Sequence, residues 1–168
     1  LSLEEKVLLL LAVDWWRIPT ILRDGKVLVP NVKSSDGPNG ARGESYVSSV
    51  KATCFPCSTC LGASFDTDVA FQIGRYIALK ALLKSAKILL APTVNMIRSP
   101  IAGHNYETFS EDPWALGTLG ATYVKGSQSV GVAATPKHFI ANDVEKRRRF
   151  LLAEVDERTL REIYFLPF

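Results

Sequence analysis

Asp36 lies in Ser34-Ser35-Asp36-Gly37-Pro38-Asn39-Gly40, a dense cluster of turn formers, and Arg42 follows closely. Glycine lets such a loop bring its backbone near a ligand, and an ionised carboxylate accepts hydrogen bonds from two neighbouring hydroxyls, an arrangement that suits a sugar. An ordinary turn aspartate is the plainer alternative. Lys137 and His138 are adjacent, and both can donate to hydroxyl oxygens. On an extended strand they would point to opposite faces unless the backbone bends, and one exposed lysine beside one core histidine is the plainer alternative. Arg98 and His104 share a long polar loop, and Arg148 belongs to the basic run Lys146-Arg147-Arg148-Arg149. A solvated loop is the default for that run, with one arginine reaching inward to hold a ligand.

Two further groups invite bond-breaking or metal chemistry. Glu107, Glu111 and Asp112 could supply the two carboxylates that retaining glycoside hydrolysis sets about 5 Å apart. Glu111 and Asp112 fit better in the first turn of a helix, whose positive end favours them, and Glu107 is expected to buttress its loop. Cys54, Cys57 and Cys60 form a C-x2-C-x2-C run, but a four-thiolate cluster needs one more cysteine and the sequence has only three. The middle thiol of an extended segment faces away from the other two, so small buried residues near a strand are expected there. No metal or cofactor is expected.

The elements that must position these groups follow a repeated order. Ser2 followed by Glu5 ahead of Val7, Leu10 and Leu11 reads as a capping box opening an amphipathic helix. Residues Val27 to Val32 are apolar and β-branched enough for a buried strand that stops at the loop bearing Asp36. A second strand is expected near Cys54 to Leu61, then a helix after Asp66 on the spacing of Val69, Ile73, Tyr76 and Ile77. Ile88 to Ala91 reads as a third strand, with a loop from Asn95 to Thr108 and a helix capped by Ser110 with Pro113 in its first turn. A fourth strand, about Val132 to Thr135, runs into Lys137-His138, and Asp156 can cap a last helix from Glu157 to Tyr164. Alternating strands and helices predict a parallel sheet with helices outside it, doubly wound or closed as a barrel. The polar clusters fall in the loops after the strands, where parallel α/β folds bind ligands.

The 168 residues are 47% hydrophobic and 22% charged, the make-up of a globular domain with a core of its own. A formal charge of +3, with basic residues spread along the chain, implies no general attraction to nucleic acid or membrane. The longest strongly apolar run, Val7 to Val13, is too short to cross a bilayer, and Glu4 and Glu5 precede it where a secretory leader carries positive charge. No Asn-x-Ser/Thr acceptor occurs, and localisation stays open. The start at Leu1 and the apolar run Ile163 to Phe168 are those expected of a piece of something longer.

Taken together, Ser35-Asp36-Gly37-Pro38-Asn39-Gly40-Ala41-Arg42-Gly43, Cys54-Phe55-Pro56-Cys57, Ala91-Pro92-Thr93-Val94-Asn95, Tyr106-Glu107-Thr108-Phe109-Ser110-Glu111-Asp112-Pro113, Lys137-His138-Phe139 and Leu160-Arg161-Glu162-Ile163-Tyr164 closely resemble glycoside hydrolase family 3. The nearest resemblance is to fungal-type β-glucosidases. It implies an α/β fold of the TIM type, a (β/α)8 barrel of which residues 1–168 are the N-terminal portion and about the first half, since such barrels take about 250 residues. It implies retaining hydrolysis of terminal β-D-glucosyl residues from β-glucosides and cello-oligosaccharides, with Asp36, Arg42, Lys137, His138 and the arginine matching Arg148 gripping the nonreducing glucosyl unit. The nucleophile and the acid/base are implied to lie further along the same polypeptide, so that this stretch alone is inactive.

One position departs from the family pattern. Where relatives usually read Gly-Gly-Arg, this chain has Ala102-Gly103-His104, and histidine is shorter than arginine and donates at most two hydrogen bonds. His104 therefore joins the candidate sugar-binding set with a weakened grip. Two readings stay open: part of an active β-glucosidase, or a noncatalytic relative that at most binds sugar weakly.

Overall fold

The computed structural model describes residues 1–43 and 50–168. The Ser2 capping box forms: its Oγ accepts from the Glu5 backbone amide, and the Glu5 carboxylate accepts from the Ser2 amide. It opens α1 (Leu3–Leu8), which lies against the solvent and is tied down where the Arg23 guanidinium donates to Glu5. Arg23 ends β1 (Ile21–Arg23), which pairs antiparallel with β2 (Lys26–Val29) across Asp24-Gly25. Both turn residues have positive φ, the geometry in which a two-residue hairpin turn matches strand twist.

That hairpin corrects the expectation of a buried strand over Val27 to Val32. Val27 and Leu28 are exposed, and the strand that feeds the Asp36 loop is β3 (Ser34–Asp36). Its place in the centre of the fold is set by pairing rather than by hydrophobicity. β3 runs parallel to β4 (Ile88–Leu90), which runs parallel to β5 (Ala133–Ala134), giving the order β3-β4-β5.

The cysteine segment is also corrected. No strand forms there among the described residues; Cys57 is the N-cap of helix α2 (Ser58–Ser64), and Cys54 and Cys60 are exposed rather than buried. Asp66 then caps α3 (Thr67–Leu83) by accepting from the amides of Asp68 and Val69. The cap of α4 (Pro113–Gln128) is Asp112, whose carboxylate accepts from the Ala115 amide, while Ser110 braces the turn by accepting from the Asp112 amide. Asp156 caps α5 (Glu157–Thr159), which continues as one π-helical stretch over Leu160–Tyr164.

Helices α3 and α4 pack side by side and cover one face of the sheet. A Cβ on Gly74 would meet the Tyr123 carbonyl oxygen at 2.3 Å, and one on Gly126 the Phe71 carbonyl oxygen at 2.1 Å, so the two helix backbones touch directly. Ile77, Ala78 and Ala81 of α3, Leu116, Leu119 and Tyr123 of α4, and Leu89 and Val132 beneath them form the core. The carboxyl ends of β3, β4 and β5 are left open at one edge of this core. Among the described residues no helix is long and apolar enough to cross a membrane.

Candidate ligand site at the strand ends

Asp36 is the last residue of β3, and its loop folds straight back on it. The Arg42 amide donates to the Asp36 carbonyl at 3.0 Å, and the Gly43 amide donates to the buried Ser35 hydroxyl at 3.1 Å. Gly37, at φ 124°, permits that reversal; a Cβ there would lie 1.9 Å from the Gly40 oxygen. The Asp36 carboxylate consequently sits between two cations: Arg42 Nη2 donates to Oδ2 at 2.9 Å, and Lys137 Nζ donates to Oδ1 at 2.8 Å. Burial pushes this carboxyl up, but the ammonium and the guanidinium outweigh it and hold Asp36 below the usual carboxylate range.

Lys137 reaches Asp36 because its backbone is threaded along the end of β4. Its amide donates to the Pro92 carbonyl at 2.9 Å, and its carbonyl accepts from the Val94 amide at 2.7 Å. Next along the chain, Asn95 grips His138 by both sides of its amide, donating to the His138 carbonyl at 2.9 Å and accepting from the His138 amide at 2.8 Å. Asn95 is itself almost fully buried, and its own carbonyl accepts from the Thr108 hydroxyl. The Lys137–His138 peptide is cis. The lysine side chain meets Asp36, and the histidine ring packs against His104.

The His138 ring lies against the His104 ring, with centroids 5.2 Å apart. Burial, then the neighbouring Lys137 and His104, push its pKa down against the opposing pull of Glu107 and Glu145, which keeps it uncharged at neutral pH. Its Nδ1 is buried with no hydrogen-bond partner among the described residues. His104 Nδ1 stands 2.5 Å from Glu145 Oε1, and its Nε2 lies 3.9 Å from Glu107 Oε2. Glu145 also accepts from Arg148 Nη1 through its other oxygen, at 2.8 Å.

The six candidate residues thus form one connected line: Arg42, Asp36, Lys137, His138, His104 and, through Glu145, Arg148. Arg148 is at its exposed end, with 54% of its side chain in solvent, and it meets Glu145 rather than the Asp36 group. Arg98 does not join the line; it donates to the Tyr164 hydroxyl at 2.8 Å and pairs with Asp143 at 3.2 Å. Glu107 does buttress its loop, accepting from Thr93 Oγ1 at 3.1 Å and from the Tyr106 hydroxyl at 3.0 Å. Burial, followed by the charges of Glu107 and Asp36, pushes the Tyr106 phenol up.

Beside Asp36 and Arg42 opens a cleft of about 560 Å³ that Lys51, Thr53, Tyr106 and Glu107 also line. Its wall alternates carboxylates, cations and hydroxyls, so both donors and acceptors face a ligand. Among the described residues no group of histidine, cysteine or carboxylate side chains is placed to hold a metal ion.

Sequence reasoning passed over three residues that build this site. Asn95 stands at the start of a polar loop, Glu145 just before the basic run and Tyr123 within a helix, and none of these settings marks a role in a site. The Tyr123 hydroxyl donates to the Pro38 carbonyl at 3.2 Å, so α4 reaches through the core to hold the Asp36 loop.

Parallel strands, helices packed against them and a polar cleft at the strands' carboxyl ends define an α/β protein, with an open parallel sheet of three strands among the described residues. The chain belongs to glycosyl hydrolase family 3: residues 20–168 match the model of that family's N terminal domain. It is 47% identical over all 168 residues to the probable beta-glucosidase J of Aspergillus fumigatus and 48% identical to the beta-glucosidase B of Emericella nidulans, covering 19% and 20% of those proteins. Among solved structures it is similar to the beta-glucosidase of Kluyveromyces marxianus in complex with glucose, at a TM-score of 0.91 and 44% identity over 99% of this chain and 20% of that one. It is also similar to beta-glucosidase 3B of Thermotoga neapolitana in complex with glucose, at a TM-score of 0.85 and 32% identity over 99% of this chain and 26% of that one. The fold is accordingly a partial (β/α)8 barrel, and the chain spans about a fifth of the length of the curated relatives it matches.

Proposed function

We propose that residues 1–168 form the glucose-gripping wall of a retaining β-glucosidase, acting on terminal β-D-glucosyl residues of β-glucosides and cello-oligosaccharides. The single observation that carries this reading is the Arg42–Asp36–Lys137 triplet, held at the carboxyl ends of the two outer strands of the parallel sheet, with both histidines nearby. A carboxylate fixed between two cations can accept from two sugar hydroxyls while the cations donate to others. Such charge-assisted hydrogen bonds distort the ring and lower the barrier where they strengthen in the transition state.

The bond-breaking carboxylates are assigned elsewhere in the polypeptide. Asp112 is engaged as a helix cap, and Glu107 accepts from Thr93 and Tyr106, contacts that suit a structural role for both. Asp36, ion-paired on both oxygens, positions and stabilises. The resemblance of this chain to proteins solved with glucose supports a hexose as the bound unit.

His104 favours a second reading, a noncatalytic sugar binder, because a shorter side chain with fewer donors stands where relatives usually carry arginine. A chimera separates the two. Residues 1–168 replace the matching stretch of the Kluyveromyces marxianus enzyme, and hydrolysis of p-nitrophenyl β-D-glucoside is followed. Turnover that Asp36→Asn and Lys137→Ala each abolish supports the catalytic reading; a folded chimera that binds glucose without turnover supports the other. Neither turnover nor binding in a folded chimera overturns both.

A further inference from the structure

Glu145 is not a residue that the proposed sugar contacts require, yet its carboxylate joins two of them. Oε1 lies 2.5 Å from His104 Nδ1, and Oε2 accepts from Arg148 at 2.8 Å. An ionised carboxylate can only accept, so the short contact requires the proton of the His104 ring to sit on Nδ1. A ring carrying a single proton is thereby fixed in one tautomer and one orientation, with Nε2 bare. That nitrogen faces the side of the site where Glu107 lies 3.9 Å away and the His138 ring packs with its centroid 5.2 Å distant.

We propose that Glu145 is a positioning residue that fixes His104 as its Nδ1–H tautomer, so that position 104 presents a hydrogen-bond acceptor to the ligand. This deepens the reading of the site as a hexose site and rests on it for the nature of the ligand. Arginine at this position can only donate, to the lone pairs of sugar oxygens. Bare Nε2 instead accepts a hydrogen bond from a sugar hydroxyl, and that hydroxyl must turn its hydrogen toward the protein. The site therefore selects a ligand that offers a donor at this wall.

Among the described residues, charged and titratable groups approach the ring from three segments, and Asp143 lines the same small cavity as His104. Glu145 and Arg148 come from the loop after β5, Glu107 and Tyr106 from the turn after β4, and His138 with Lys137 from the end of β5. Among the described residues only Glu145 is close enough to His104 to fix its tautomer, because the Glu107 contact exceeds hydrogen-bond range.

The sequence contains two histidines, so a histidine-labelled chain gives two imidazole signals, which His138→Gln assigns. Nitrogen NMR at pH 8.5, above the ordinary imidazole range, reads which nitrogen carries the proton. The expected result is Nδ1–H in the 168-residue chain, a change to predominantly Nε2–H in Glu145→Ala, as in free histidine, and retention of Nδ1–H in Glu145→Gln, whose amide oxygen still accepts. Nε2–H in the unaltered chain, or an unchanged tautomer in Glu145→Ala, overturns the proposal. Arg148→Ala, which frees the other arm of Glu145 from the surface, serves if Glu145→Ala loses amide dispersion; it is expected to mix the tautomers, and no change there counts against the proposal. Glucose titration then separates the two layers. Loss of affinity of about three- to tenfold in Glu145→Ala, the worth of one hydrogen bond, supports the acceptor role. Equal affinity in both overturns that role, whereas absence of glucose binding with the tautomer intact refutes the hexose reading and leaves the positioning of His104 standing.

Discussion

Asp36 and Lys137 stand 101 residues apart in sequence and 2.8 Å apart in space, carboxylate oxygen to ammonium nitrogen. Their contact ties the first strand of the parallel sheet to the loop after the last, across β4, and Arg42 closes the same carboxylate from the other side. Removing the negative charge leaves two cations facing each other at the mouth of the site. Asp36→Asn is expected to lose glucose binding and to cost about 1–3 kcal/mol of stability, between the worth of an exposed pair and the cost of breaking a fully buried one because the groups are partly wet. Denaturant unfolding and glucose titration check both; wild-type values in both would contradict the assigned ion pairs.

The pH dependence of stability has a sign that follows from Asp36. Its pKa is lower in the folded chain than in the unfolded one, so the stabilisation is present above the unfolded value of about 4 and is lost as pH falls through the lower folded value. Asp36→Asn is expected to flatten the acid limb of a plot of unfolding free energy against pH. An acid limb of unchanged slope would assign the titration to other carboxylates.

His104→Arg, introduced into the Kluyveromyces marxianus chimera, is expected to raise kcat/KM for p-nitrophenyl β-D-glucoside. Two carboxylates, Glu145 and Glu107, already flank the position and can hold a guanidinium fork. Unchanged or poorer kinetics would show that histidine is no handicap there.

Asn95→Ala removes both hydrogen bonds that fix the His138 backbone, leaving a partly buried amide and carbonyl without partners. The expected loss is about 1–3 kcal/mol, together with weaker glucose binding. Binding that survives in a folded Asn95→Ala chain would mean that His138 is held by its other contacts.

Tyr123→Phe tests how the core supports the site. Only the hydroxyl that donates to the Pro38 carbonyl is removed, while the ring packing is kept, so a cost of about 1 kcal/mol is expected. Amide exchange in the loop from Gly37 to Arg42 is expected to quicken. No change in exchange there would make the hydrogen bond incidental.

How much of this was legible in the sequence depended on whether a residue's role is local. Helix caps at Ser2 and Asp156 were readable because a cap needs only neighbours within one turn, although Asp112 rather than Ser110 caps α4. The Asp36, Lys137 and His138 cluster was readable as a set of polar residues after strands, and the recurrence of family motifs put those strands in one barrel. β3 was not readable: Ser34-Ser35-Asp36 is polar, and it is a strand because Ile88, Leu89 and Leu90 of β4 lie beside it. The apolar run upstream drew the assignment instead, although the Asp24-Gly25 turn sends that run into an exposed hairpin. The cysteine segment misled in the same way, since apolar content alone does not separate a strand from a short helix. Asn95, Tyr123 and Glu145 act on residues 43, 85 and 41 positions away, and no periodicity records such contacts.

The bare backbone meeting of α3 and α4 at Gly74 and Gly126 bears on how this molecule can change. Two rods that touch without side chains between them have no room to slide or tilt, and a single added methyl would wedge them apart. Variation is thereby steered away from the outer layer and toward the rim, where loops at the strand tips can exchange one residue for another, an arginine for a histidine among them, over a chassis that stays put.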